Sequence, residues 1–183
     1  MRSRTSTEEF EAAALPHLPD LFRTAVRLAG DRARAEDAVQ DAYLQAWKSF
    51  HRFTPGTNCR AWLFKILINT LHHYRRKALS RQLVQGAEKG IFDTLMSAPP
   101  VPDKLTDEEV LSALDRIPTE FRMVVILADV EEFSYKEIAH LLEIPIGTVM
   151  SRLNRGRGLL RELLAGLARS YGIGSTPQEG DGA

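Results

Sequence analysis

Residues 134–164 read SYKEIAHLLEIPIGTVMSRLNRGRGLLRELL, and this stretch decides the fold of the C-terminal half of the chain. Ser134 and Glu137 have the spacing of a capping box, which predicts the start of a short amphipathic helix. The Glu-Ile-Pro-Ile run at 143–146 breaks that helix, and a helical pattern resumes from Gly147. The stretch therefore predicts a helix-turn-helix.

The second of these helices has an apolar back and a basic front. At about 100° per residue, one face holds Val149, Leu153, Gly156, Leu160 and Leu164. The opposite face holds Ser151, Asn154 and Arg155, with Arg152 and Arg157 on its flanks. Residues 144–161 include four arginines and no acid. A helix of this kind suits the major groove of DNA.

An ordinary two-helix corner with a solvated arginine face is the alternative interpretation of the same stretch, because short helix pairs are common. A merely soluble helix usually mixes charges of both signs. Here acidic residues are frequent just upstream and absent from the second helix, the upstream ones being Glu131, Glu132, Glu137 and Glu143. This asymmetry favours DNA binding.

Composition restricts the class of protein. No apolar run approaches the roughly 18 residues of a membrane span, and the first residues lack an apolar signal region. Cys59 is the only cysteine, which excludes an internal disulfide and a multi-cysteine zinc site. No catalytic or nucleotide-binding motif is found. We therefore expect a cytoplasmic protein without membrane insertion, cofactor, metal site or catalytic residues.

The charge is unevenly distributed although the net charge of the 183 residues is zero. Residues 1–80 contain 13 Lys and Arg against 8 Asp and Glu, whereas residues 105–183 contain 8 against 13. The C-terminal region is therefore acidic except for one basic helix. Because phosphate neutralisation supplies most non-specific affinity, this region should bind DNA weakly alone.

Helical periodicity runs along the chain and strand signals are almost absent, which predicts an all-α protein. We expect an N-terminal helical domain at 6–80, a flexible linker at 81–104, a helix-turn-helix domain at 105–170 and a disordered tail at 171–183. Glycine and proline interrupt the linker, and glycine is frequent in the tail.

A second basic helix is predicted at 59–79. Its apolar face opposes a basic and amide face formed by Lys65, Asn69, His72, His73 and Arg76, with Trp62 at the rim. Aromatic, amide and cationic groups together can bind unstacked bases, whereas a core helix with a solvated basic side is the alternative. The preceding helix presents a mixed acidic and apolar stripe that suits a basic protein surface. It comprises Asp37, Gln40, Asp41 and Leu44, and a solvated helix face is the alternative interpretation.

Three stretches of the chain resemble, in order, segments of the extracytoplasmic-function (ECF) sigma factors of the bacterial sigma-70 family. Residues 36–47 (EDAVQDAYLQAW) resemble the segment that docks on the clamp region of the β′ subunit of RNA polymerase. Residues 53–70 (FTPGTNCRAWLFKILINT) resemble the loop and helix that read the −10 element, and residues 114–157 resemble the domain that reads the −35 element. The 55–58 loop and the 147–153 motif are most similar to the thiol-oxidative-stress subgroup.

This resemblance implies two helical domains, sigma domain 2 and a helix-turn-helix sigma domain 4, and a role for each candidate residue. Core polymerase would be contacted by Asp37, Gln40, Asp41 and Leu44. Promoter DNA at −10 would be contacted by Thr57, Asn58, Arg60, Trp62, Lys65, Asn69, His73 and Arg76, with Asn69 helping to capture a flipped base. The −35 element, expected to be of GGAA type, would be read by Thr148, Ser151, Arg152, Asn154, Arg155 and Arg157. Many relatives have a basic residue in place of Met150.

The resemblance further implies control by an anti-sigma factor, and the subgroup implies a zinc-binding one. Two other functions stay open from the sequence. A self-sufficient helix-turn-helix regulator would bind duplex DNA tightly without polymerase, usually as a dimer on a palindrome. A small helical enzyme using Asp37, Asp41 and a histidine is disfavoured because no metal spacing or nucleophile supports it.

Overall fold

The computed structural model describes residues 4–84 and 107–170, and every regular element in these segments is helical. The N-terminal domain comprises α1 (Arg4–Ala14), α2 (Leu18–Ala29), α3 (Arg32–Ser49) and α4 (Cys59–Val84). The C-terminal domain comprises α5 (Asp107–Asp115), α6 (Thr119–Val125), α7 (Tyr135–Leu142) and α8 (Ile146–Ser170). The predicted all-α class with two helical domains is confirmed.

Short elements complete these domains. The 3₁₀ turns Leu15–His17 and Phe50–Arg52 follow α1 and α3, and the π-helical turn Ile126–Val130 extends α6. The segment expected at 59–79 continues as helix to Val84. Residues 85–104 of the expected linker and the expected tail at 171–183 lie outside the described residues.

The boundaries of these helices follow from local capping. Gly30 ends α2 in the left-handed region, at φ 69°, and Asp31 accepts a hydrogen bond of 3.0 Å from the backbone N–H of Ala33 at the start of α3. The capping box of α7 is confirmed, because Ser134 and Glu137 each bond the backbone N–H of the other. These bonds satisfy amide groups that the first helical turn leaves unpaired.

The N-terminal core forms where α2 and α4 pack on α3. The buried side of α3 consists mostly of alanine, which lets the neighbouring helices approach closely, the buried alanines being Ala35, Ala38, Ala42 and Ala46. The facing side of α4 contributes the fully buried Leu63, Phe64, Leu67 and Ile68. The polar sides of α3 and α4 are consequently directed outward.

In the C-terminal domain the apolar back of α8 packs on α6. Val149 and Leu153 are buried, as the helical periodicity predicts. Gly156 lies where the two helices come closest, since a Cβ atom there would be 2.7 Å from Cγ2 of Val125. That distance is too short for a side chain, so this approach of the helices requires glycine. The front of α8 therefore faces away from the core.

The two domains lie face to face and share one continuous hydrophobic core. Helix α4 contacts α7, and α2 contacts α6. The rings of Phe64 and Phe133 meet edge to face across this boundary, with centroids 5.0 Å apart. The sequence did not predict how the two domains are placed relative to each other. In the structure, the C-terminal domain covers part of the side of α4 that faces away from the N-terminal core.

Candidate polymerase and nucleic-acid interfaces

The four residues predicted to contact polymerase lie along one exposed line of α3. Asp37, Gln40, Asp41 and Leu44 are all exposed, and Leu44 is 49% exposed although it is apolar. Their spacing of three and four residues gives a stripe opposite the buried alanines. A rigid helix therefore presents two carboxylates beside an apolar contact point.

Tyr74 of α4 holds one carboxylate of this stripe. Its hydroxyl donates a hydrogen bond to Oδ2 of Asp41, and this bond, with burial and the charges of Asp41 and Asp37, raises the pKa of Tyr74 to about 12. Tyr74 is not among the candidate residues that the sequence indicated. Its position on the face of α4 that packs toward α3 could have indicated this contact.

The loop before α4 is fixed by its own hydrogen bonds. The backbone N–H of Thr57 bonds the carbonyl of Thr54 at 3.2 Å, and Gly56 has φ 86°, which is the pattern of a type II turn with proline before the glycine. The side chain of Thr57 also donates to the Thr54 carbonyl at 2.7 Å. Asn58 accepts from the N–H of Ala61 at 3.0 Å and so caps α4.

The candidate −10 residues on α4 divide into an exposed and a covered group. Asn69, His73 and Arg76 are exposed on the outer half of the helix. Trp62 is half-buried, and its ring lies 5.0 Å from that of Phe53 and 6.3 Å from that of Phe50. It therefore packs in an aromatic cluster at the base of the loop and keeps one side accessible.

The covered group consists of residues that bond to the C-terminal domain. The guanidinium of Arg60 donates to the backbone oxygen of Glu131 at 2.9 Å and to its carboxylate. The same group lies over the rings of Phe64 and Phe133, at 4.9 and 4.6 Å from their centroids. The Glu131 side chain is only 2% exposed and also accepts a hydrogen bond of 2.6 Å from Thr24. Arg60 and Glu131 thus form an ion pair largely removed from water.

Lys65 is bound in a similar way. Its ammonium group donates to the carbonyl oxygens of His140 and Leu141, each at 3.0 Å, and pairs with Glu143 at 2.7 Å. The carbonyls belong to the last turn of α7, where helices have unpaired acceptors and partial negative charge. The bond to Lys65 lowers the pKa of the Glu143 carboxyl. All three donors of Lys65 therefore have acceptors on the C-terminal domain.

Asn58 makes the third bond of this kind, donating to Oε1 of Glu137 at 3.2 Å. The capping bonds from Ser134, aided by the bond from Asn58, lower the pKa of the Glu137 carboxyl. A cleft of about 390 Å³ opens beside these contacts between the domains. The α4 residues were predictable from the sequence, whereas nothing in it indicated that Glu131, Glu137 and Glu143 are their acidic partners.

The candidate −35 residues lie on the outward front of α8. Ser151, Asn154 and Arg155 are exposed, and Thr148 and Arg152 are half-buried. Arg157 is bound to Asp129, with Nε 3.0 Å from Oδ2, and this pairing raises the pKa of Arg157. The front also includes two apolar residues, Ile146 and Met150, which are 43% and 54% exposed.

Among residues 4–84 and 107–170, no three His, Cys, Asp or Glu side chains are grouped so that they could bind a metal ion. No helix in the same two segments is both long and apolar enough to cross a membrane. Cys59 is half-buried, and burial raises the pKa of its thiol.

Comparison with known proteins relates both domains to one family. Residues 14–81 match the family model for Sigma-70 region 2, and residues 107–160 match that for Sigma-70, region 4. The chain is 37% identical over 158 residues to the ECF RNA polymerase sigma factor EcfG of Rhodopseudomonas palustris, a match that covers 86% of each chain.

Solved structures give the same relation. The chain is similar to the sigma factor RpoE of Bartonella quintana in its complex with the anti-sigma factor NepR, with a TM-score of 0.71, 32% identity and coverage of 86% of this chain and 98% of the other. It is also similar to CnrH in complex with the cytosolic domain of CnrY, with a TM-score of 0.62, 26% identity and coverage of 87% and 90%.

Proposed function

The chain belongs to the ECF RNA polymerase sigma factors of the sigma-70 family, and we propose that three of its surfaces bind core polymerase and the two promoter elements. The stripe on α3 contacts core polymerase, the basic side of α4 and its preceding loop read the −10 element, and the front of α8 reads the −35 element. The factor directs promoter-specific transcription initiation, and we assign it no catalytic residue.

The α3 stripe is the observation that most strongly supports this division. Asp37, Gln40, Asp41 and Leu44 are all exposed on one rigid helix, and a hydrogen bond from Tyr74 orients Asp41. An acidic stripe next to basic α4 would repel DNA, whereas it complements a basic protein surface. We propose that this surface is the clamp region of the β′ subunit.

The Asp41→Arg variant tests the stripe. We expect its affinity for core polymerase to fall at least about tenfold, because a like charge then faces the basic partner. Glu11→Arg is the control, since Glu11 is an exposed acid on α1, outside the 36–47 segment. Unchanged co-purification of Asp41→Arg with core enzyme contradicts the assignment, provided that its circular dichroism matches that of the control.

The two DNA-reading surfaces support different kinds of contact. On α4, Asn69 is exposed on the same outer half of the helix as His73 and Arg76. A melted DNA strand needs such groups near its phosphates, so Asn69 suits capture of an extruded base. On α8, donors and arginines on the outward front suit base edges and phosphates of duplex DNA. The leading alternative, a self-sufficient helix-turn-helix regulator, does not explain the exposed stripe on α3.

Run-off transcription with core polymerase on a promoter library separates these two functions. A sigma factor yields transcripts only with core enzyme and selects two separated promoter elements. A self-sufficient regulator instead binds duplex DNA tightly without polymerase. Tight binding to one palindromic site, with no transcript in the presence of core enzyme, contradicts the proposed function.

We also propose that an anti-sigma factor controls this chain, in a stress response. The similar RpoE and CnrH structures are complexes with NepR and CnrY. The thiol-oxidative-stress subgroup and a zinc-binding partner are finer predictions that rest on the resemblance of the 55–58 loop and the 147–153 motif. Metal analysis of the co-purified partner tests them, and a zinc-free partner contradicts both.

A further inference from the structure

The loop at 54–58, assigned above to the −10 element, has internal bonds that fix its shape but not its direction. The bonds from Thr57 to the carbonyl of Thr54 form the turn, and Asn58 caps α4 by accepting from the N–H of Ala61. All residues of the loop are exposed, so the loop itself is not packed into the core. The groups that direct the loop relative to α4 therefore lie beneath it.

Aromatic rings in contact run from α1 to this loop and form what we call the ring chain. Phe53, directly before the loop, stacks on Phe50 with centroids 5.7 Å apart and planes 12° from parallel. Residues i and i+3 of a 3₁₀ turn eclipse each other, which explains why the turn at 50–52 stacks these two rings. Trp62 of α4 lies against Phe53, with centroids 5.0 Å apart. Phe10 of α1 meets Phe50 edge to face, at 5.2 Å and 80°.

Phe10 is the buried end of the ring chain. Its side chain is only 7% exposed, and its ring also contacts Tyr43 and Trp47 of α3, at 6.4 and 5.2 Å between centroids. The hydroxyl of Tyr43 donates a hydrogen bond of 2.8 Å to the carbonyl of Ala14, which ties the end of α1 to α3. The match to Sigma-70 region 2 begins at residue 14, so Phe10 precedes it. Packing on α3 therefore holds Phe10 in a fixed place.

We propose that Phe10 is a positioning residue for −10 recognition: through Phe50 and Phe53 it sets the direction of the 54–58 loop and the place of the Trp62 ring. The proposal rests on the assignment of this loop and α4 to the −10 element. Phe10 itself is buried and does not contact DNA. Helix α1, to which no contact is assigned above, thereby becomes part of the promoter-reading surface's support.

The aromatic character of residue 10 matters as well as its size. An edge-to-face pair sets the positive edge of one ring against the negative face of the other, so it favours a narrow range of ring orientations. Leucine fills a similar apolar space without this preference, so it lets the ring of Phe50 turn. Binding groups must be held within about 0.5 Å of their productive geometry. Base extrusion costs stacking free energy that only well-placed contacts recover, so a loop of variable direction discriminates poorly between bases.

The experiment compares Phe10→Leu with Phe22→Leu in the full-length chain bound to core polymerase. Phe22 is a half-buried phenylalanine of α2, and its ring faces the guanidinium of Arg32 at 5.3 Å, so the same substitution is made outside the ring chain. Open-complex formation is measured on the duplex promoter that the native factor selects and on versions with each other base at the −10 positions. Affinity for core polymerase and circular dichroism are measured in parallel.

We expect Phe10→Leu to lower the preference for the selected −10 bases about tenfold, which is less than the roughly hundredfold loss that a misplacement of about 1 Å causes. Core affinity and the helical signal should stay native, and Phe22→Leu should keep the native base preference. Phe10→Met should lose less, since sulfur retains a favourable contact with the Phe50 ring. It carries the same comparison, against Phe22→Met, if Phe10→Leu does not fold. A purely structural role would instead reduce complexes on all promoter versions equally.

A double substitution tests whether Phe10 acts through Phe50. Once Phe50→Leu has interrupted the ring chain, adding Phe10→Leu should cause no further loss of base preference. Residues that act along one route are non-additive, whereas independent residues add their effects. Losses that multiply in the double variant would overturn the route through Phe50.

Three outcomes overturn the proposal in distinguishable ways. A native base preference in Phe10→Leu, with a loss in Phe53→Leu beside the loop, overturns the role of Phe10 and leaves the −10 assignment intact. Equal losses in Phe10→Leu and Phe22→Leu reduce the effect to general packing of the domain. A native preference in Phe10→Leu, Phe53→Leu and Asn69→Ala together overturns the assignment of the loop and α4 to the −10 element as well.

Discussion

Helices α4 and α8 have similar polar sides in sequence but different surroundings in the structure. Each has an acid-free run with several cations opposite an apolar back. On α8 the front is exposed, and its one described ion pair, Arg157 with Asp129, lies within the same domain. On α4 the first half bonds to glutamates from the other domain. A basic helix face thus indicates what it can bind, whereas packing decides whether it is accessible.

Replacing one arginine on each helix should produce the largest difference between them. Arg60→Ala leaves Glu131 buried without its cation, which should cost about 3 kcal/mol of unfolding free energy. Arg155→Ala removes an exposed side chain and should change the unfolding free energy by less than about 0.5 kcal/mol. Urea denaturation followed by circular dichroism measures both values. Equal, small effects would mean that Arg60 is not buried against the C-terminal domain in solution.

Replacing one asparagine on each helix tests which form of DNA each helix reads. Asn69→Ala should reduce open-complex formation on duplex promoter about tenfold, the expected loss for about 1.4 kcal/mol of hydrogen bonding to an extruded base. Asn154→Ala should weaken −35 recognition by a similar factor, since a good base contact contributes about 1–3 kcal/mol.

A template melted in advance around −10 distinguishes these two effects. Part of the Asn69→Ala defect should be recovered on it, because the variant no longer has to help open the duplex. The Asn154→Ala defect should persist, since the −35 element stays double-stranded. An Asn69→Ala defect of equal size on both templates argues against a role in melting, though not against base recognition.

The smallest predicted effect concerns the apolar part of the α8 front. Met150 is 54% exposed among hydrogen-bonding residues, and the complementary strand of a GGAA-type element presents thymine methyl groups in the major groove. Replacing those thymines by uracil should weaken −35 binding about fourfold per buried methyl, from about 0.8 kcal/mol. Met150→Ala should be insensitive to that replacement. Equal sensitivity of the native factor and the variant would place Met150 away from the thymines.

Local sequence patterns predicted most of the fold. The capping box at Ser134 and the apolar faces of α4 and α8 correspond to what the structure contains. They were predictable because capping and periodicity act within one or two helical turns. The start of α8 at Ile146 and the end of α4 at Val84 each differ from expectation by a few residues at most.

For the candidate sites, the sequence predicted which residues share one face of a helix but not which residues of other helices they contact. Sequence spacing placed Asp37, Gln40, Asp41 and Leu44 on one stripe, and the structure leaves all four exposed. It gave no means of joining Asp41 to Tyr74 or Lys65 to Glu143, because these partners lie 33 and 78 positions apart along the chain. The sequence left Trp62 ambiguous, since a tryptophan on a helix is more often a core residue than a base platform, and in the structure it is half-buried in an aromatic cluster.

By itself, the sequence determined the helices, the charge of each face and the resemblance to a sigma factor, since all three depend on residue order and short-range geometry. Only the tertiary structure decided that the acidic residues upstream of α8 meet the basic side of α4. The charged side chains of the acidic run and of the basic helix are each well hydrated without a partner. The sequence therefore does not show that they pair, and the pairing follows only when the shared core brings them together. Burial then excludes water from Arg60 and Glu131 and makes their pairing necessary.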